Sequence, residues 1–425
     1  MARLADLTAA TAPPPAGVRV MLDLRPLQEP TRAPMTAAYL RSLVRALEHD
    51  PLPDEELVEV LRVGRGDPVE EDRAEGSEGG VAVVGRRWLP PPSNALRSLL
   101  GVPVDGVLLR LAQLRTGTAA GAGTVFHTAG GATPRRSAMP VVSALLDLAP
   151  WELPERYTAT RVARLARRAK AGALRRASLV LVASRATADA LTRLVDVDRE
   201  RVRVVPLASD AAFRPEAADP GLLDSLLAAH RLPGRYLIVG GRYDARSDLP
   251  TLFAALRSLR DAGTLEAELP HVVLVGAAAA DEAHDRIAAL VRHHRVRDLV
   301  HATPPLALGQ RAVLEAGALG HVQVALSDST GIAALEALAS GVPVIASRAG
   351  ALPEIVGPAG IIVEPGDPAR LANALIALWS GGQVADQVSR AARRAADMRR
   401  TWADVCRDTR EAWASVAAPG PDALG

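Results

Sequence analysis

The sequence predicts an α/β protein made of two doubly wound, Rossmann-like parallel-sheet domains that face each other across a cleft. Three observations predict it. Short runs rich in Val, Ile and Leu alternate with longer Ala/Leu/Arg segments of helical period, the pattern that a parallel sheet with crossover helices requires. At 425 residues the chain exceeds what one hydrophobic core fills, so two domains are expected. The alternation breaks at 208–234, where Pro215, Pro220 and Pro233 mark a linker, and then restarts.

In chain order, residues 1–17 read as a flexible leader, rich in Ala and Pro. The first domain, 18–207, has strands expected near 18–22, 57–61, 81–84, 124–127, 141–145, 179–183 and 202–206. Its helices are expected near 34–48, 94–113, 157–176 and 185–195. The second domain, 235–397, has strands expected near 236–239, 271–275, 322–326, 343–346 and 360–363. Helices are expected near 249–262, 280–293, 309–319, 331–340 and 368–380. Doubly wound sheets bind ligands beyond the carboxyl ends of their strands, so the cleft is where function is sought.

Composition narrows the classes. Hydrophobic residues are 48% of the chain, which marks a folded protein, and aromatics are only 3%, which argues against a stacking platform for nucleic acid. The net charge of +2 implies no polyanionic partner. Cys406 is the only cysteine, so no internal disulfide is possible and a reducing compartment fits. Lys170 is the only lysine. With no run of eighteen apolar residues and no basic-then-apolar start, a soluble, cytoplasmic protein is expected.

Two segments of the second domain carry chemistry. In Asp328–Ala349 a carboxylate and Gly331 precede a helix with a second carboxylate, Glu336, and a short apolar strand follows. The turn Ser329-Thr330-Gly331 is expected to present free N–H groups at the helix start, where the macrodipole favours an anion. One carboxylate then suits ribose hydroxyls and the other a transferred sugar. An ordinary αβ unit with two solvated acids has the same residues, and the segment alone leaves both readings open. Gly240-Gly241-Arg242, followed by Arg246, sits between a strand and a helix and suits a phosphate, as it also suits a glycine turn with surface arginines.

Elsewhere, His127 ends a strand and is expected at the cleft, with a buried loop-capping role as the alternative. The stretch Arg161–Arg176 has a basic face and an apolar stripe that suit nucleic acid or an anionic membrane. Packing of Val162, Leu165, Ala169 and Leu174 onto the first sheet suits the same pattern. His293, His294 and His301 lack a carboxylate at ligand spacing, so no metal is expected. Ser184 lacks the glycine-framed elbow of a hydrolase nucleophile.

The run from Asp328 to Glu336, followed by Ala337-Leu338-Ala339-Ser340-Gly341-Val342-Pro343-Val344, is similar to the Glu-x7-Glu signature of retaining glycosyltransferases of family 4 (glycosyl transferases group 1). Gly350-Ala351-Leu352-Pro353-Glu354 and Val363-Glu364-Pro365-Gly366-Asp367 match the wording downstream. The resemblance runs from about Val18 to Trp402 and implies the GT-B fold, with a last helix, 398–418, that packs back towards the first domain. It implies metal-independent transfer of a sugar, with retention, from a UDP-, GDP- or ADP-sugar to a carbohydrate or lipid-linked acceptor, as in polysaccharide or glycolipid biosynthesis. No cofactor and no nucleic acid are involved, and peripheral contact with the membrane inner face is compatible. On the matching positions it implies that Arg242 holds the diphosphate, that Gly331 and Ile332 offer amides, that Glu336 binds the ribose and that Asp328 orients the donor sugar.

Four positions depart from the family pattern. Asp328 stands for a glutamate, Ser247 for a lysine, and Leu146-Asp147 for a His-Asp pair. The glycine-rich loop is replaced by Thr31–Tyr39, which contains Pro34 and no glycine. Arg246 and Arg32 are the substitutes for the missing positive charge, and His127 for the missing imidazole. The departures fall on groups that act on the donor, so the resemblance is to a member with a degenerate active site. The alternative function is a catalytically inactive nucleotide-sugar-binding or partner-binding protein.

Overall fold

The computed structural model describes residues 18–30, 33–52, 55–62, 82–89, 123–130, 133–134, 137, 139–263, 269–277 and 282–417. The leader 1–17, the helix expected at 94–113 and Arg32 lie outside the described residues.

The first sheet has seven strands in the order β3-β2-β1-β4-β5-β6-β7. These are β1 (Arg19–Asp23), β2 (Glu56–Arg62), β3 (Ala82–Leu89), β4 (Thr124–Ala129), β5 (Val141–Ala144), β6 (Leu179–Val182) and β7 (Val202–Val204). Helix α1 (Pro34–His49) links β1 to β2, α2 (Arg161–Leu174) precedes β6, and α3 (Arg185–Val195) precedes β7. Pro34 occupies the first turn of α1, where its missing N–H costs nothing. Residues 34–39 are therefore helix.

After α4 (Pro220–His230), the second sheet has six strands in the order β10-β9-β8-β11-β12-β13. Its chain order is β8 (Leu237–Val239), α5 (Leu249–Asp261), β9 (Val272–Leu274), α6 (Glu282–His294), β10 (Val300–Ala302), α7 (Leu308–Ala316), β11 (Gly320–Gln323), α8 (Ile332–Ala339), β12 (Val344–Ser347), α9 (Leu352–Val356) and β13 (Gly360–Val363). Helices α10 (Pro368–Trp379), α11 (Gln383–Asp397) and α12 (Trp402–Val416) follow. Every strand pair given a register in either sheet is parallel, for example Val20 beside Leu57 and His321 beside Val344. The two doubly wound sheets are thus as the sequence predicts.

The chain packs as two compact units. One comprises Met1–Ala144, Arg168–Leu181 and Cys406–Gly425, and the other Leu145–Arg167 and Val182–Val405. The stretch 208–234, which the sequence assigns to a linker, carries α4 and groups with the second unit, as do 145–167 and 182–207. Met21, Val58, Val60, Phe126, Met139 and Val141 form a core in the first unit. In the second, Leu237, Val272, Phe253, Leu256, Leu375 and Trp379 belong to one continuous core.

The helix expected over 157–176 starts later, because Ala149–Glu152 and Pro154–Tyr157 form separate turns and the Thr160 hydroxyl accepts from the Ala163 amide. Of its expected apolar stripe only Leu174 is fully buried; Val162 and Leu165 are exposed. Among the described residues no helix is long and apolar enough to cross a membrane.

Candidate functional site

The order of the second sheet fixes where a ligand can enter. The chain leaves β8 for β9 and β10 on one side, then crosses to β11 on the other. Strand order reverses between β8 and β11, and in doubly wound sheets the crevice for a ligand lies outside the carboxyl ends of the strands at such a switch point. The loops that follow these two strands are 240–248 and 324–331. Three backbone links tie them: Leu326 N–H donates to the Arg246 carbonyl at 2.7 Å, Asp248 N–H donates to Val324 at 3.1 Å, and Ser247 bridges Ala325.

The loop after β11 turns into α8 at Gly331, whose φ of +58° lies in the left-handed region that favours glycine. A Cβ there would lie 2.3 Å from the Ile355 Cδ1, so the position is glycine by space as well. Asp328 Oδ1 accepts from the Thr330 and Gly331 amides at 3.1 and 2.7 Å, and Oδ2 accepts from the Gln323 side-chain amide. Burial raises the Asp328 pKa, and those amides oppose the rise by stabilising the charged form. The expected free amides of this turn are thus corrected: the Thr330 and Gly331 N–H groups already serve Asp328. Among the described residues the Ile332 N–H has no acceptor, and it stands at the start of α8.

Arg246 is the best-held cation of the site. Its Nε donates to Asp244 and its Nη2 to Asp147, both at 3.0 Å, and the side chain is mostly buried. Burial opposes its charge, but the two carboxylates outweigh that and raise its pKa. Arg242, more exposed, donates to the other oxygen of Asp244 at 2.8 Å. Asp147 arrives from the segment after β5, which is pinned to the same loop: Leu148 N–H donates to the Ser329 hydroxyl at 2.8 Å, and Ser327 donates to Glu152. Leu146 is buried.

Glu336 lies one turn inside α8 and accepts from Arg311 of α7 at 2.6 Å. Burial raises its pKa to about 7, and Arg311 opposes the rise. Arg311 in turn sits over the Phe213 ring, 5.4 Å from its centroid. Beneath it the His321 Nδ1 meets Glu315 at 2.9 Å, both side chains buried. The His321 ring fills the space that a Cβ on Gly240 would occupy, at 2.1 Å from Nε2, so the turn after β8 requires glycine. His321 Nε2 and Gln323 Oε1 are buried without a partner among the described residues. These two side chains share one face of β11.

The family model for glycosyl transferases group 1 matches residues 234–381, the segment that holds this crevice. Residues 234–381 form a group 1 glycosyl transferase domain. A D-inositol 3-phosphate glycosyltransferase of Frankia alni is 31% identical over 211 residues, 48% of this chain and 51% of that protein, so the chain spans about half the length of this curated relative. A glycosyltransferase from Rickettsia africae superposes with a TM-score of 0.67 at 14% identity, over 94% of this chain and 98% of that one. Anabaena HepE in complex with UDP and glucose superposes with a TM-score of 0.64 at 16% identity, over 93% and 99%. The fold is GT-B.

Within the group 1 domain, Asp328, Gly331, Ile332, Arg242, Arg246 and Glu336 all belong to the two loops and the helix that border the crevice. His127 does not. It is fully buried in the first unit, where its Nδ1 accepts from Trp413 at 3.0 Å and its Nε2 is 3.4 Å from the Tyr39 hydroxyl. Burial lowers its pKa to about 3. The expectation that His127 faces a cleft is therefore corrected: β4 carries it into the core.

Sequence reasoning missed Arg311, Glu315, His321 and Gln323 of the group 1 domain. The alternation of His321 and Gln323 with Val322 and Val324 is the signal that was available, since a central strand of a parallel sheet normally reads as continuously apolar. Arg311 and Glu315 share one face of α7 at i, i+4, which resembles a solvated pair until the fold places Glu336 beside them.

Proposed function

We propose that the protein is a retaining glycosyltransferase that moves a sugar from a nucleotide-sugar donor to an acceptor hydroxyl without a bound metal. The observation that supports the reading is that the Gly240–Arg246 turn and the α8 start, with Asp328 before it and Glu336 one turn inside it, meet at one switch point. The diphosphate lies against Arg242, Arg246 and the α8 start, where arginine and helix dipole offset the charge that develops on the leaving group. Glu336, oriented by Arg311, accepts from the ribose hydroxyls, and Asp328 orients the donor sugar. The structural neighbours support a UDP-sugar as donor: Anabaena HepE has been solved in complex with UDP and with UDP-glucose.

A specific observation favours a second reading, an inactive nucleotide-sugar-binding protein. Both arginines of the turn are already paired with Asp147 or Asp244, and buried Leu146 offers no hydrogen bond to a sugar. Incubation of the purified protein with UDP-glucose and a panel of monosaccharide phosphate and lipid-linked acceptors, with release of nucleotide and product mass as readouts, separates the two. Product with the α-anomeric linkage of the donor is expected. Nucleotide binding without any product supports the second reading.

A further inference from the structure

We propose that Gln323 is a donor-binding residue whose side-chain carbonyl oxygen accepts from a hydroxyl of the transferred sugar. The assignment rests on the nucleotide-sugar reading of the switch point and goes beyond it by naming an atom that reads the sugar. Strand β11 lies inside the second sheet, between β8 and β12, and a strand so placed is normally apolar throughout. Gln323 is nevertheless buried there, at 2% exposure. Its Nε2 donates to Asp328 Oδ2 and lies 3.8 Å from where a Cβ on Gly241 would stand, so the amide sits beside both loops of the switch point. The Asp328 carboxylate accepts, so the amide turns its nitrogen towards Asp328 and its oxygen elsewhere. That oxygen, Oε1, is buried without a partner among the described residues. A carbonyl oxygen taken out of water and left unpaired is costly, and a ligand that brings a donor to the switch point relieves that cost.

The chemistry of Oε1 selects the ligand group. Ionised phosphate oxygens only accept and cannot pair with it, whereas hydroxyls donate. A nucleotide sugar carries hydroxyls on its ribose and on its sugar. Glu336, held by Arg311, is the carboxylate assigned to the ribose, and Asp328, bonded to Gln323, is the one assigned to the sugar. Asp328 already accepts three hydrogen bonds, from the Thr330 and Gly331 amides and from Gln323. Of this pair it is therefore the Gln323 oxygen that stands wholly unpaired among the described residues, and a sugar hydroxyl is its match.

The test is calorimetric titration of the full-length protein and of Gln323→Leu with UDP, GDP and ADP, with their glucose conjugates, and with the monodeoxyglucose conjugates of the nucleotide that binds. Gln323→Leu should keep the parent's affinity for the free nucleotide and bind the glucose conjugate about tenfold more weakly, as loss of one hydrogen bond does. One monodeoxy conjugate should bind the parent about tenfold more weakly than the glucose conjugate, and Gln323→Leu should not distinguish the two. A residue that only supports the fold would weaken nucleotide and conjugate alike and would couple to no single hydroxyl. Gln323→Met, which keeps the length of the side chain and loses the oxygen, should behave as Gln323→Leu does, and it carries the test if leucine unsettles β11. Equal weakening of the free nucleotide, unchanged affinity for the glucose conjugate, or variants that discriminate the deoxy conjugates as the parent does would overturn the proposal alone. A parent that binds no nucleotide would instead remove the nucleotide-sugar reading, and this assignment with it.

Discussion

Glu336 titrates near neutrality because α8 buries it while Arg311 holds it, and that makes it the most testable residue of the site. If its carboxylate accepts from ribose hydroxyls, Glu336→Ala should lose about 1–3 kcal/mol of nucleotide affinity by calorimetry. Affinity should also rise as the pH passes upward through about 7, and Glu336→Gln should lack that dependence. The same ionisation affects stability. The folded-state pKa lies above the ordinary 4.5, so between 4.5 and about 7 the native protein keeps a proton that the unfolded chain has released. Stability therefore falls as pH rises across this window, and the Glu336→Gln melting curve should be flatter there. His127 has the opposite sign. Its pKa is depressed from 6.5 to about 3, so its contribution is present above 6.5 and is lost as pH falls towards 3. His127→Ala should cost about 1–3 kcal/mol in urea denaturation, since it orphans the Trp413 N–H. It should leave nucleotide affinity unchanged, which a cleft histidine would not.

Two elements are held by buried or half-buried ion pairs. The segment after β5 brings Asp147 onto Arg246, so any phosphate must compete with a carboxylate for that guanidinium. Asp147→Asn should therefore raise UDP affinity several-fold by calorimetry; an unchanged value would remove Arg246 from the phosphate contacts. Helix α12 is anchored in the first unit by Arg410, which meets Glu55 through two hydrogen bonds of 2.9 and 2.6 Å, both side chains buried. Glu55→Ala leaves that cation buried with only Asp50 as partner, and a loss of about 3–5 kcal/mol in denaturant is expected. At this scale the sequence was legible where pattern is local. The strands of the second sheet and the Gly331 turn follow from β-branched runs and from glycine chemistry. Strand β10 was not legible, because Val300-His301-Ala302 is only three residues long and has a histidine at its centre. Neither was the fate of the Ser329–Gly331 amides, because an aspartate three residues before Gly331 reads equally as ligand and as cap. His127 was misread because its place at a strand end says nothing about Trp413, which lies 286 residues away.

For the whole molecule, the two parallel sheets were legible because the same alternation of strand and helix occurs twice. The grouping of 145–167 and 182–207 with the second unit was not, since it depends on long-range contacts. A nucleotide-sugar pocket at the switch point of the second sheet can be checked by thermal melting of the protein, and of Glu336→Ala, with UDP, GDP, ADP and their glucose conjugates. At a ligand concentration about a hundredfold above the dissociation constant, one nucleotide should add about 2.7 kcal/mol and raise the melting temperature by a few degrees in the parent. At the same concentration the shift should be much reduced in the variant. No shift with any nucleotide, or an equal shift in Glu336→Ala, would contradict it.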